Sequence, residues 1–128
     1  MYPQLAGNDS ISIPAVPQIF AGSAEIVTNR AQGGTDVKLD ALSVIALVGD
    51  KIVQYNPAGS DGSEVAAGIL AAPLDTTAAT GVAGSWAPYY TGGDFNHAAL
   101  VWPAVTDTLA ERRAAFASTD TIKISTVI

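Results

Sequence analysis

The chain has 128 residues, with 12 acidic against 6 basic side chains, a net charge of −6 and a sequence pI near 4.3. Such a surface repels nucleic acid and anionic membranes, and the absence of cysteine excludes disulfides and thiolate chemistry. Apolar residues reach 48% but lean on Ala, Val and Ile, and twelve Gly with seven Pro demand many turns, so the composition suits a small β-rich domain that gains from oligomerisation.

Residues 1 to about 35 stand apart from the rest. They hold Pro3, Pro14, Pro17 and the pair Gly33-Gly34, and no helical period survives the prolines. The opening MYPQLAGNDS has neither a basic n-region nor an apolar h-region, so no signal peptide is expected and the protein is expected to be soluble and made in a cytoplasm. Yet Ile11 and Ile13 alternate around Ser12, and Val16, Ile19 and Phe20 follow. A disordered linker does not need those side chains. An arm that becomes a strand on a partner does. The alternative is a strand and loops that pack on the domain itself.

From Val37 the strand signals become regular. Val37 and Leu39 flank Lys38, and Leu42 to Val48 is a continuous apolar run of the buried type. Gly49-Asp50 separates it from Lys51 to Tyr55, which predicts a hairpin with a type II′ turn. Asn56-Pro57 and Gly59 to Gly62 form a long turn. Glu64 to Ala72 returns as an apolar strand stopped by Pro73. The mild apolar run Val65 to Leu74 contains a Gly and a Pro and is too short for a bilayer. Asp75 to Thr80 is a polar loop. A strand follows from Val82 to Tyr90, kinked by Pro88 and turned by Gly92-Gly93.

Leu100-Val101-Trp102-Pro103 is an apolar strand end with a proline stop, and the one convincing helix comes next, at about 107–117. Thr108 and Glu111 have capping-box spacing, with Asp107 as a competing N-cap. Leu109, Arg113 and Phe116 share a face. Isolated, so short a helix is marginal, so packing of Leu109 and Phe116 has to hold it. Trp102 is expected to meet Phe116 where the strand end reaches the helix. Thr121 to Ile128 closes the chain as an alternating strand.

No constellation of residues carries chemistry. His97 is the only histidine, and Asp94 lies three before it, but no nucleophile-elbow pattern is present. Asp36 with Asp40, or Asp61 with Glu64, fits no EF-hand loop, and zinc lacks its usual ligands. Phosphate-binding glycine loops are absent from the sequence. No catalytic, cofactor-binding or metal-ligating residue is therefore expected, and the chain reads as a non-enzyme.

Three stretches together resemble a known family. They are Lys51-Ile52-Val53 leading through Asp61-Gly62 to Val65–Ala71; Leu100-Val101-Trp102-Pro103; and Arg112–Ala117 with the closing Ile122-Lys123-Ile124. Their order and spacing are similar to the head decoration protein of lambda-like tailed phages, the protein D family, over roughly residues 37–128. The resemblance implies a mainly β domain of the β-clip type, a bent ribbon or partly open barrel with one short helix. It implies a homotrimer on the outer surface of the virion capsid, at three-fold and quasi-three-fold positions. There it clamps the major capsid protein after head expansion, against internal DNA pressure, while the N-terminal arm adds a strand to that protein. On this reading residues 1–35 are the capsid-binding arm, with Ile11, Ile13, Val16, Ile19 and Phe20 as anchors. Residues 36–128 are the decoration domain, with Leu100, Trp102, Leu109 and Phe116 docking the helix.

Two rival classes remain. One is a carbohydrate- or receptor-binding module with Trp86, Tyr89 and Tyr90 as an aromatic platform. The other is a trimeric β-clip hydrolase of the dUTPase kind, whose Gly-rich phosphate-binding tail is not matched by Ile122 to Ile128.

Overall fold

The computed structural model describes residues 18–126. Strand makes up 38% and helix 9%, so the class is mainly β. The strands are β1 (Val27–Gly33), β2 (Lys38–Leu39), β3 (Val44–Val48), β4 (Lys51–Gln54), β5 (Gly68–Leu70), β6 (Leu74–Asp75), β7 (Trp86–Asn96) and β8 (Ile122–Ser125). The helix α1 spans Leu109–Ala115, and a 3-10 turn spans His97–Ala99. Six strands form one sheet in the order β1-β4-β3-β5-β7-β8, and β1 also pairs with β7, which partly closes the sheet on itself.

β7 is the spine. Its first half takes β5 on one side and β1 on the other, and its second half takes β8 in parallel. Eleven residues suffice for all three partners because the strand bulges at Thr91, between the pairs Val27↔Gly92 and Thr28↔Tyr90. The turn expected at Gly92-Gly93 is therefore not a turn: the strand runs through it.

The sheet is buried on both faces. Val44, Ile69 and Phe95 point into one cluster with Leu100, Phe116, Ile122 and Ile124. Ile45, Leu70 and Ala87 point into a second with Ile52, Leu74 and Tyr89. Successive residues of a strand face opposite ways, so a strand between two cores is apolar at every position. That explains the unbroken run in β3, where Val44, Ile45 and Ala46 have no exposed surface.

Three local expectations change. The β3–β4 hairpin has positive φ at both Gly49 (57°) and Asp50 (64°), which makes its turn type I′ rather than II′. The predicted strand 64–72 contracts to β5, because the chain before it coils with Val65 half exposed. Leu100 follows the 3-10 turn, and Val101 joins Ser43 through a single bridge rather than a strand.

The largest correction concerns the boundary at residue 35. β1 belongs to the body: Gln32 and Gly33 pair with β4, and Val27 to Gln32 pair with β7. Gly33 is packed into the body, since a Cβ there would meet Thr76 Cγ2 at 2.6 Å and Leu74 Cδ2 at 2.9 Å.

Candidate functional site

The place where the N-terminal segment joins the body is built from β7. The Asn96 amide N–H donates to the Ile19 carbonyl at 2.8 Å, and the Ala21 N–H donates to the Asp94 carbonyl at 2.9 Å. The Asn96 side-chain amide also donates to the Gln18 carbonyl at 2.7 Å. Residues 19–21 thus run antiparallel to β7 just beyond β1, on the same strand. Phe20 completes an aromatic trio, 5.7 Å from Tyr90 edge-on and 5.2 Å from Phe95. Ile19 packs against the same cluster. Asn96 pairs with Ser125 on its other side, and Ser125 Oγ donates to Asp94 Oδ1 at 2.7 Å. Gln18 and Ser125 therefore both adjoin Asn96.

Of the five residues expected in the arm, Ile19 and Phe20 are half-buried parts of the body. Ile11, Ile13 and Val16 lie outside the described residues. Asn96, which ties down the root of the segment, carried no sequence signal beyond its type.

The docking of α1 follows the capping box. Thr108 Oγ1 accepts from the Glu111 N–H, and Glu111 Oε1 accepts from the Thr108 N–H at 3.1 Å. Leu100 and Phe116 are buried in the first core, and Leu109 and Trp102 pack on it half-buried. The Trp102 and Phe116 rings meet edge to face at 6.1 Å. Arg113 Nε donates to the Ile124 carbonyl at 3.0 Å and ties the helix to β8.

On the other side Arg112 lies over the Trp102 ring at 5.3 Å and donates to His97 Nδ1 at 2.9 Å. Arginine has no acceptor, so Nδ1 carries the lone pair and the imidazole proton sits on Nε2. Burial, then the Arg112 and Arg113 charges, hold the His97 pKa below its ordinary 6.5. A histidine whose pKa falls on folding contributes stability above the unfolded value and loses it as pH drops through the folded one. The thermal midpoint should therefore fall as pH is lowered from about 7 towards 5.5. His97→Asn keeps an acceptor near Arg112 but cannot titrate, and should flatten that slope in a pH series of melting curves.

Asp61, Glu64 and Asp75 are committed to turns. Asp61 Oδ1 accepts from the Ser63 N–H and hydroxyl, and Glu64 Oε1 accepts from the Gly62 N–H. Asp75 accepts from Thr77 and Thr80 in the same way. Those hydrogen bonds hold the Asp61 and Asp75 carboxyls below the usual carboxylate range. Among the described residues, no three His, Asp or Glu side chains gather as a metal site. No helix among them is long and apolar enough to cross a membrane.

The family model for bacteriophage lambda head decoration protein D matches residues 15–124. The chain belongs to this family. A comparison with curated proteins gives no match. The match takes in β1 and the root at Gln18, so it extends the resemblance read from residues 37–128 across the whole sheet. As a head decoration protein the chain is a structural component of a phage capsid. The edge-to-face Trp102–Phe116 contact then joins two of the three stretches that carried the resemblance.

Proposed function

We propose that this head decoration protein clamps the outer surface of the expanded head as a homotrimer, at three-fold and quasi-three-fold positions. Residues N-terminal to Gln18 add a strand to the major capsid protein, with Ile11, Ile13 and Val16 as anchors. The observation that carries this reading is the root. The body holds the chain at Gln18 through Asn96, which also pairs with Ser125 at the close of β8. On this reading the residues before it supply the arm.

The physics is linkage. A ligand that binds only the assembled, expanded lattice stabilises that lattice by mass action. Three arms on one trimer make the second and third contacts intramolecular, so weak strand additions sum to tight attachment. Main-chain hydrogen bonds supply affinity, and alternate side chains select the register.

Purified protein should co-sediment with expanded heads and not with unexpanded shells or free DNA. Equal binding to unexpanded shells would contradict the expansion-dependent clamp. The aromatic-platform reading loses its basis. Of its three rings only Trp86 is exposed, since Tyr89 is 5% exposed and Tyr90 sits half-buried against Phe20 and Phe95.

A further inference from the structure

Trp86 is 59% exposed at the start of the spine strand. Across the sheet it stands opposite Gln32, and Gln32 stands opposite Lys51. Paired residues share a face, so these three side chains form one outward row. Arg30, two residues before Gln32, lies on the same face. Lys51 Nζ donates to Gln32 Oε1 at 2.7 Å, which holds the row in place. The chain has only six basic residues. Two of them share this face with its one exposed tryptophan.

A groove of about 480 Å³ lies at the opposite end of β4. Tyr55, Pro57, Ala58, Val105 and Ala114 give it apolar walls, and Glu111 lines it with a carboxylate. Val105 is 68% exposed at its edge. The groove offers an apolar seat and a negative charge. The Trp86 face offers a large apolar ring and two positive charges. Lys51 begins β4 and Tyr55 follows its end, so one molecule cannot seat its own Trp86 in its own groove.

We propose that Trp86 inserts into the Tyr55–Val105–Ala114 groove of a second copy of this chain, with Arg30 and Lys51 facing the neighbour's Glu111. This contact joins two different patches, so it is head-to-tail, and it closes into a ring when the rotation permits. It deepens the homotrimer reading, on which it rests, by assigning the surfaces.

The chain has no cysteine, so engineered pairs report cleanly. Ser85→Cys beside the intact Trp86, combined with Ala58→Cys in the groove, should form inter-copy disulfides on mild oxidation. Either single variant should not give the ladder. Crosslinking is run on the full chain in solution and on decorated heads. Trp86→Ala should weaken self-association in sedimentation equilibrium at least about tenfold, as for a buried aromatic anchor, with an unchanged melting temperature. Absence of the 85–58 crosslink in both settings overturns the proposal. So does a Trp86→Ala protein that self-associates normally, or one that loses only head binding, which would assign the face to the capsid protein. Failure of wild-type protein to bind expanded heads would overturn the clamp, while the solution crosslink would still decide the contact.

Discussion

Phe116→Ala should destabilise the folded chain by about 3–5 kcal/mol, the range for a fully buried ring replaced by a methyl group. Phe116 is only 3% exposed and caps the C-terminal end of α1. It packs in the cluster with Leu100, Ile122 and Ile124, so its loss opens a void between the helix and the closing strand. The helix has seven residues. That is well below the length at which an isolated helix holds itself, roughly 12–15 residues. Its capping box supplies on the order of 1 kcal/mol, so docking is what keeps it formed. A small domain has about 5–15 kcal/mol of total stability. The substitution should therefore lower the urea midpoint sharply. A midpoint unchanged by Phe116→Ala would show that α1 does not depend on this core.

The sheet's centre was legible in the sequence because burial there leaves a mark. β3 is apolar at every position, β8 alternates, and the Thr108–Glu111 spacing announces the helix start. β1 left no such mark. Its residues are Val-Thr-Asn-Arg-Ala-Gln-Gly, and the first four are exposed. Apart from Ala31 in the second core, it is held by backbone pairing to β7 and β4, and periodicity cannot report backbone pairing. Gly33-Gly34 adds no periodic signal, and nothing in the sequence tells a flexible glycine from one pressed against Leu74 and Thr76. Phe20 reads from the sequence only as an apolar side chain in need of a surface. The sequence could not say that the surface is Tyr90 and Phe95 of its own fold.

That distinction sharpens the expected result for the arm. If residues 1–17 serve the capsid protein and not the body, deleting them should leave the melting temperature within a few degrees. Affinity for expanded heads should nonetheless fall at least ~100-fold, the scale expected when multivalent contacts are lost. Deleting residues 1–28 is a different experiment. It removes Phe20 from the aromatic trio, breaks the pairing of residues 19–21 with β7 and takes the first two residues of β1. That protein should melt far lower or fail to fold, so its loss of binding would say nothing about the arm. The seventeen residues before Gln18 can still span about 55 Å at roughly 3.3 Å per residue. That is about half the reach of a 35-residue arm and still enough to cross to a neighbouring subunit. Ile13→Pro should cause part of the same loss, since it removes one amide from the added strand. The deciding measurement is head binding of the 18–128 protein, with its melting curve beside it. Binding equal to the full chain would make the body alone the clamp and end the strand-addition reading.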